Sequence, residues 1–316
     1  MPTAVAAPFR FFTLQVTRTR RLSPSLVRVT FTGPDLHAFA SNGQDQSLSL
    51  FLPRPGQQTP VMPMEYGDGW RQAWIDTPED VRAVMRSYTL RALRQDANGA
   101  TTEIDIDFVL HGTEPGAATP AGPASRWAAD AKSGDRAVLL GPSVADNTAI
   151  RFRPPADADL ILIWADETAL PAASAILEAL PAGTKARVWL EVPHTGDRVE
   201  PTTSADAEIT WLVRDEARAE AHADAPDDIR GDAHDEAPNN DPDGTPEATP
   251  LALEAIRSAQ LPSAQAPYAW IAGESGCVKA LRRHLVRERE IDRRRVTFVG
   301  YWRRGLSEEQ LRERGE

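Results

Sequence analysis

The chain has 316 residues, 41% of them hydrophobic, and its 35 lysines and arginines against 46 aspartates and glutamates give a formal net charge of −11. This acidic balance argues against a nucleic-acid binder that relies on phosphate attraction. No apolar run approaches the roughly 20 residues of a membrane-spanning helix. The single cysteine, Cys277, excludes an internal disulfide framework and any multi-cysteine metal or iron–sulfur site. The N-terminal sequence lacks the charged start and apolar core of a signal peptide, so we expect a cytoplasmic protein without membrane insertion.

Residues 10 to about 153 have a pattern typical of β-strands. Apolar and polar side chains alternate through residues 27–31 and 103–108, and leucines recur at every second position at 48, 50 and 52. This period of two predicts antiparallel strands with one buried and one solvated face, which would place Asp105 and Asp107 in solvent. Clusters of proline and glycine between these runs predict turns. We therefore expect residues 1–155 to form a small antiparallel β-barrel.

The pattern changes at residue 158. Leu160–Trp164 is a continuous apolar run, as is typical of a parallel strand covered on both faces. Strand-like and helix-like segments then alternate, which predicts βαβ units and a doubly wound parallel sheet in residues 156–316. The predicted helices are 169–180, 250–259 and 276–290, and the later strands are 187–192, 208–213, 268–272 and 296–301.

Residues 214–250 interrupt the second domain with a strongly acidic composition. They contain 12 acidic residues and three arginines, a net charge of −9 that leaves only −2 for the rest of the chain. Few large apolar side chains are present, so burial cannot offset the entropy lost on ordering. We expect this segment to be a disordered acidic loop.

Several familiar motifs are missing from the sequence. It contains no GxGxxG fingerprint, no P-loop and no GxSxG nucleophile elbow, and its six histidines lack the spacing of zinc ligands. We therefore expect neither a bound metal nor an acid–base catalytic pair. A cofactor held by a looser set of side chains is the remaining candidate.

Two segments of the first domain have the composition of a cofactor site. In Arg86–Arg91, which reads RSYTLR, the arginines could bond phosphate and the Tyr88 ring could cover a flat cofactor, while Thr89 could bond the edge of a flavin. Gly122–Ala128 is a turn of small residues leading into a predicted helix, whose free N–H groups suit a pyrophosphate. Each segment alone is equally compatible with an ordinary strand or helix start.

The order of these segments resembles that of the siderophore-interacting proteins, which are flavin-dependent ferric-siderophore reductases related to the ferredoxin–NADP reductases. The resemblance also rests on Asp107–Gly112, Ala165–Ala172, Ala272–Glu274 and Gly300–Gly305, and it covers nearly the whole chain except the acidic segment. It implies an N-terminal antiparallel Greek-key β-barrel that binds FAD and a doubly wound α/β domain that receives NADH or NADPH. A ferric siderophore would be the substrate, and reduction would release Fe(II).

The resemblance also implies roles for particular residues. It assigns the cofactor contacts of the barrel to Arg86, Tyr88, Thr89, Asp107, Val109, Leu110, His111, Ala124, Ser125 and Trp127. It assigns the nicotinamide-side turn to Asp166, Glu167 and Thr168, and the covering of the flavin to Tyr301 and Trp302. A strand-end histidine at His111 and a packing aromatic at Trp302 are the structural alternatives. No residue has a catalytic role of its own, because the flavin transfers the electrons.

The chain departs from the family at the predicted substrate site. Where the family has a lysine in a pattern similar to Asp-Gln-His-Ile-Lys-Leu, this chain has Ser49. The positive charge that an anionic chelate requires would then come from Arg126, Arg303 and Arg304. The loop 112–121 is also longer than the family pattern, which could reshape the adenine end of the cofactor site.

The electron donor and two alternative functions stay open at this point. Glu191, at the end of the second parallel strand, stands where an acid favours a ribose 2′-hydroxyl, whereas Arg198 and Arg214 could meet a 2′-phosphate. A ferredoxin donor is a third possibility. The alternative functions are a non-enzymatic ferric-siderophore binding protein, which predicts a damaged flavin site, and the reductase arm of another electron-transfer system.

Overall fold

The computed structural model describes residues 8–113, 120–223, 250–306 and 310. The chain forms two compact units, one made of Met1–Arg153 with Pro171–Ala179 and the other of Pro154–Leu170 with Leu180–Glu316. In the described part of the chain, no helix has both the length and the apolar content needed to cross a membrane.

The first unit is built on a seven-stranded sheet in which all neighbouring strands are antiparallel. Its strands are β1 (Phe9–Ser23), β2 (Leu26–Thr32), β3 (Ser47–Leu52), β4 (Val84–Thr89), β5 (Ala92–Gln95), β6 (Thr101–Val109) and β7 (Arg136–Pro142), and the α-helices that lie between these strands in the chain are α1 (Trp70–Asp76) and α2 (Pro123–Asp130). The strand order is β4-β3-β7-β1-β2-β6-β5. The alternating segments therefore form strands, as the sequence predicts.

The two edge strands of this sheet are consecutive in the chain. Only two residues, Leu90 and Arg91, separate the end of β4 from the start of β5. The sheet must therefore curl until its edges approach each other. The backbone N–H groups of these two residues bond the carbonyl oxygens of Gln46 and Asp105, each at 2.9 Å. The predicted antiparallel β-barrel class is confirmed in this curled form.

Apolar side chains fill the inside of the curl. Phe12, Phe31, Leu50, Ile106 and Phe108 are among the side chains with almost no exposed surface. They come from strands distant in the sequence, because successive residues of a strand point to opposite sides of the sheet and every second residue faces this core. Burial of these large groups supplies the main favourable term for folding of this unit.

Strand β6 departs from the predicted pattern of one buried and one solvated face. Asp105 and Asp107 are both buried, with 4% and 7% of their surfaces exposed. Arg94 donates to both carboxylate oxygens of Asp105 at 2.8 Å, and Arg28 donates to those of Asp107 at 2.7 and 2.8 Å. The predicted solvated face was therefore wrong for these two residues, because guanidinium groups from neighbouring strands compensate the buried charges.

The second unit contains a five-stranded parallel sheet. The strands are β8 (Leu160–Ala165), β9 (Lys185–Val192), β10 (Asp206–Val213), β11 (Pro267–Glu274) and β12 (Val296–Trp302); the helices that alternate with them in the chain are α3 (Leu170–Ala179), α4 (Arg214–Ala223), α5 (Pro250–Ser258) and α6 (Ser275–Arg287). All six residues of β8 are buried, as its continuous apolar run predicts.

The strand order β10-β9-β8-β11-β12 reverses beside β8. The chain builds outward from β8 to β10, then returns to the other side of β8 with β11 and adds β12. This confirms the doubly wound sheet. In open parallel sheets, ligands bind beyond the carboxyl ends of the strands at such a reversal, because the connections leave toward opposite faces there. Asp166, just after β8, and Glu274, the last residue of β11, lie at this place.

The predicted disordered loop was wrong at its start. Residues Arg214–Ala223 form helix α4, with Asp215 and Glu216 in its first turn. Alanine is the best helix former, and acidic residues near a helix N-terminus interact favourably with its dipole. The acidic composition of the whole segment masked this local preference. Residues 224–249 lie outside the described residues, and α5 begins at Pro250 as predicted.

Candidate functional site

Strand β4 places one candidate cofactor segment at an edge of the curled sheet. Arg86 and Tyr88 are half-buried there, and Thr89 is buried. The Tyr88 ring centroid lies 4.4 Å from that of Phe108, which in turn lies 5.7 Å from that of Trp127. Tyr88 and Trp127 are therefore the partly exposed ends of one aromatic cluster on a buried phenylalanine.

The second candidate segment forms the start of helix α2. Its N-cap, Gly122, provides no side-chain cap, and a Cβ added there would meet no heavy atom within 4 Å. The Ser125 hydroxyl accepts a hydrogen bond from the His111 N–H at 3.0 Å and donates one to the His111 carbonyl oxygen at 3.2 Å. These two bonds tie the start of α2 to the residues that follow β6, so two of the predicted cofactor segments lie side by side.

The other predicted residues of the first unit differ in exposure. The carboxylate of Asp107 is bonded by Arg28, and the Arg91 Nε lies 3.8 Å from it, so this side chain is engaged within the protein. Arg126 is exposed and its guanidinium donates to the Ala121 carbonyl oxygen at 2.5 Å. Of the remaining predicted contacts, Leu110 and Ala124 are buried, Val109 is half-buried and His111 is exposed.

In the second unit, Asp166 accepts hydrogen bonds from three parts of the sheet. Its Oδ1 accepts from the Thr168 N–H at 2.9 Å, the Thr168 hydroxyl at 2.5 Å and the Ala169 N–H at 3.3 Å. Its Oδ2 accepts from the Glu274 N–H and from the Trp302 indole N–H, both at 2.8 Å. One buried carboxylate therefore connects the ends of β8, β11 and β12.

Burial strongly perturbs the Asp166 carboxyl group. Removal from solvent, together with the negative charge of Glu167, raises the pKa of Asp166 to about 7, and the hydrogen bonds from Thr168 and Trp302 act in the opposite direction. A smaller contribution in the raising direction comes from Glu191. The acidic groups at this edge therefore interact with one another electrostatically.

Two neighbours of Asp166 have roles that sequence reasoning missed. Gly273 has a φ of +147°, and a Cβ at this position would lie 2.5 Å from the Asp166 Cγ, so only glycine lets β11 approach this carboxylate. Glu274 is the N-cap of α6 and accepts the Cys277 N–H at 2.8 Å and the Arg304 N–H at 3.3 Å. A glycine directly before an acidic residue at a strand–helix junction was the signal available in the sequence.

Arg214 joins two acidic residues at the carboxyl edge of the sheet. Its guanidinium donates to both oxygens of Glu167, at 2.6 and 2.8 Å, and to Glu191 at 3.2 Å. These residues follow or end three adjacent strands, so the parallel topology brings them together. Sequence reasoning had weighed Glu191 and Arg214 as competing features, whereas the structure pairs them.

The predicted aromatic and basic residues near the end of the chain also lie at this edge. Trp302 is half-buried with its indole N–H bonded to Asp166, and Tyr301 is half-buried beside it in the chain. Arg303 forms an isolated antiparallel bridge with Leu306 and is half-buried, whereas Arg304 is exposed. Their roles toward a flavin or a substrate stay predictions.

Along the chain, a curled antiparallel sheet is followed by a doubly wound parallel sheet. The fold is shared with a ferredoxin reductase of carbazole 1,9a-dioxygenase, with a TM-score of 0.57 at 16% identity over 94% of this chain and 70% of that one. Residues 15–146 match the siderophore-interacting FAD-binding domain, and residues 158–305 match the siderophore-interacting protein family. The chain belongs to the siderophore-interacting protein family.

Similar proteins cover almost the whole chain. The ferric vibriobactin reductase of Vibrio cholerae is 32% identical over 95% of this chain and 92% of its own length. The NADPH-dependent ferric-chelate reductase of Escherichia coli is 30% identical over 95% and 96%. The crystal structure of the siderophore-interacting protein SipS from Aeromonas hydrophila has a TM-score of 0.67 at 31% identity, covering 97% of this chain and 96% of that one.

The close approach at Gly273 predicts a large stability loss on substitution. Gly273→Ala places a Cβ against the Asp166 carboxylate and in an unfavourable backbone region, so we expect the free energy of unfolding to fall by about 3 kcal/mol or more. Gly183→Ala is the control, because Gly183 also has a positive φ, of +79°, but open space around it, and about 1 kcal/mol is expected there. Urea titrations of the two variants measure the difference, and equal losses would contradict the crowding at Gly273.

The raised pKa of Asp166 predicts a pH-dependent stability. Folding moves this pKa from 3.8 to about 7, so between these values the folded protein holds a proton that the unfolded chain has released. The resulting stabilisation is full at low pH and is lost as the pH rises through about 7. We expect the free energy of unfolding to fall between about pH 5 and 7, with a slope of at most about 1.4 kcal/mol per pH unit.

Urea titrations across this range compare the wild type with two variants. Asp166→Asn should flatten the slope, since asparagine does not titrate. Asp159→Asn should leave the slope unchanged, because the exposed Asp159 has a lowered pKa and is already ionised throughout the range. A slope that survives in Asp166→Asn would show that another group carries it.

Proposed function

We propose that this protein is a flavin-dependent reductase that passes electrons from a nicotinamide nucleotide through FAD to a ferric siderophore, in the cytoplasm. The observation that carries the proposal is the pairing of an FAD-binding domain of the siderophore-interacting type with a second domain of the same family along one chain. Relatives named as ferric-siderophore and ferric-chelate reductases that match nearly end to end support the same reaction.

The first unit has the features that FAD binding requires. The start of α2 offers backbone N–H groups without a side-chain cap beside Gly122, where a Cβ would meet no atom of the described residues within 4 Å, and such a helix start suits a pyrophosphate. Arg86 would add a guanidinium for a phosphate, Tyr88 and Trp127 would offer half-buried ring surfaces, and Thr89 would bond the edge of the flavin. Val109, the last residue of β6, and the two residues after it, Leu110 and His111, would line the ribityl and adenine side, with Ala124 and Ser125 at the pyrophosphate. When bound, the flavin would accept a hydride from the nucleotide and release electrons singly to iron.

The second unit would bind the nicotinamide nucleotide at the carboxyl edge of its sheet. The turn formed by Asp166, Glu167 and Thr168 lies at the reversal of strand order, where nucleotides bind in doubly wound sheets. Asp166 holds the indole of Trp302 through its N–H, so the orientation of this ring is set before any ligand arrives. We assign Trp302 and its neighbour Tyr301 to the protection of the flavin from solvent.

Reduction is a chemically suitable way to release iron from a siderophore. Hard oxygen ligands bind Fe(III) much more strongly than Fe(II), so adding one electron opens the chelate without destroying the ligand. Many such complexes are anionic and need positive charge near them. We assign this role to Arg126, Arg303 and Arg304, since this chain has Ser49 where the family has a lysine.

Flavin spectroscopy on the purified protein tests the function as a whole. We expect a yellow protein whose flavin absorbance bleaches anaerobically with NADH or NADPH and returns when a ferric siderophore is added, with stoichiometric Fe(II) trapped by a ferrous-specific chelator. A colourless protein that binds ferric siderophore tightly would support the non-enzymatic binder instead. Bleaching by a reduced ferredoxin but by neither nucleotide would identify ferredoxin as the donor.

Loss of the Arg86 guanidinium should weaken flavin retention. A phosphate–guanidinium contact contributes about 1.5–3 kcal/mol, so we expect Arg86→Ala to raise the Kd for FAD by about 10- to 100-fold in titrations of the apoprotein. Arg20→Ala is the matched control, because Arg20 is an exposed arginine on β1 of the same unit. An unchanged Kd in Arg86→Ala would remove the phosphate role from this residue.

The basic residues near the end of the chain should set the affinity for anionic ferric complexes. We expect the double variant Arg303→Ala/Arg304→Ala to raise KM for an anionic ferric siderophore, with a larger effect at low ionic strength, since salt screens exposed charges. Ser49→Lys should lower KM for the same complex. The rate of flavin reduction by the nucleotide is measured in parallel. If neither variant changes KM at any ionic strength, these positions do not bind the substrate.

A further inference from the structure

The carboxyl edge of the second sheet combines two acidic residues with one arginine that bonds both of them. Arg214, directly after β10, donates to both oxygens of Glu167 at 2.6 and 2.8 Å and to one oxygen of Glu191 at 3.2 Å. The side chains of Glu167 and Glu191 are 13% and 3% exposed. A bidentate guanidinium–carboxylate pair in such a setting is strong and geometrically defined. Arg214 thus directs its side-chain hydrogen bonds to these two carboxylates, which compensate its positive charge.

Arg198, the second arginine that the sequence suggested for a 2′-phosphate, is engaged as well. It donates to Glu216 at 2.6 Å, and the adjacent Asp215 bonds the His194 ring at 2.6 Å. Arg218 lies 3.5 Å from Asp215 in turn, so Arg198, Arg214 and Arg218 are all paired with carboxylates at this edge. A phosphate dianion would have to compete with these carboxylates for the arginines.

Glu191 is suited to accept a hydrogen bond. Its Oε2 is buried and receives no hydrogen bond from the described residues, whereas its Oε1 is held by Arg214. An unsatisfied buried oxygen carries a desolvation cost. A hydroxyl group can relieve this cost by donating a hydrogen bond, whereas a doubly ionised phosphate has no proton to donate. Burial raises the pKa of Glu191, with Arg214 acting against this shift, which agrees with a carboxylate short of donors.

We propose that the Glu167–Arg214–Glu191 cluster makes this enzyme select NADH and reject NADPH, with Glu191 accepting a ribose hydroxyl. The proposal rests on the proposed function, because it refines the identity of the electron donor. Arg214 acts as a positioning residue that holds the two carboxylates in place, and it is not the receptor of a 2′-phosphate. The Escherichia coli relative is named as NADPH-dependent, whereas we expect this protein to prefer NADH.

The nucleotide preference is measured in two ways on the FAD-loaded protein. Anaerobic rapid mixing gives the rate of flavin bleaching at equal, subsaturating NADH or NADPH, and calorimetry gives the Kd values of 5′-AMP and adenosine 2′,5′-bisphosphate, which need no reaction. We expect bleaching by NADH to be at least roughly tenfold faster, which corresponds to about 1.4 kcal/mol. The bisphosphate should bind no more tightly than 5′-AMP.

Two charge-neutralising variants test the source of the preference. Glu191→Gln and Glu167→Gln keep the size of the side chain, remove one negative charge each and free part of Arg214. Each should lower the NADH/NADPH rate ratio by roughly tenfold, chiefly through faster bleaching by NADPH, and should tighten the binding of the bisphosphate. Glu167→Gln is the safer variant for folding, because its side chain is the more exposed of the two.

A control and a reporter variant complete the design. Asp157→Asn also removes one carboxylate paired with an arginine, Arg295, but lies before β8 at the amino end of the sheet, and should leave the ratio unchanged. Arg214→Ala should weaken 5′-AMP and the bisphosphate to the same extent. A selective loss of the bisphosphate would make Arg214 a phosphate receptor and overturn the proposal.

The outcomes separate this inference from the proposed function. Faster bleaching by NADPH in the wild type overturns the selectivity and leaves the reductase intact. Failure of both nucleotides to bleach the flavin overturns the inference together with the nicotinamide donor of the proposed function. An NADH preference that both glutamate variants leave unchanged assigns the preference to other residues and also overturns the proposal.

Discussion

The hydrogen bonds accepted by the Asp166 carboxylate are the constraint on which the edge of the second sheet depends. The group takes donors from the turn after β8, from the last residue of β11 and from the indole at the end of β12. A single buried carboxylate thus links the three strand ends through their donors, in addition to the backbone pairing that joins β8 to β11 and β11 to β12. Gly273 is required for the same reason, since any side chain there would occupy the space of this carboxylate.

Buried charge occurs in both units and is compensated in the same way. Asp105 and Asp107 are covered on β6 because arginines of adjacent strands bond them, and Glu167 and Glu191 are covered because Arg214 does. Such pairs contribute little net stability once their desolvation is included, but they hold their partners in one geometry. In the second unit, Arg214 and its two carboxylate partners lie at the reversal of strand order, where ligands bind in doubly wound sheets.

The fold of this family does not determine its chemistry, which depends on a few residues at the edges of the two sheets. A ferredoxin reductase of 16% identity has the same fold, which by itself says nothing about the substrate. In this chain Ser49 lies in the middle of β3, paired with Ser87 and Leu140 in the sheet, where the family pattern has a lysine. The recognition of an anionic chelate is therefore expected to depend on arginines from other elements.

Local pattern in the sequence was sufficient for the strands, the parallel run of β8 and the order of the two fold classes, because period-two alternation and continuous apolar runs report burial directly. It also indicated the candidate segments around Tyr88 and Ser125, whose role toward a cofactor stays a prediction. The sequence prediction missed helix α4 because it gave more weight to the acidic composition of the whole segment than to the helix preference of the alanines within it. The burial of Asp105 and Asp107 was missed because periodicity does not show where a compensating arginine lies.

Only the tertiary structure decided how the charged residues of the second unit combine. Glu167, Glu191 and Arg214 are separated by more than twenty residues from one another in the chain, and each alone suits a different nucleotide. Parallel strand order places the ends of β8, β9 and β10 side by side, and the guanidinium then pairs with both carboxylates. The sequence by itself determined which groups are present and on which elements. Which groups neutralise each other depends on distances of a few ångströms between strand ends, and only the folded chain sets these distances.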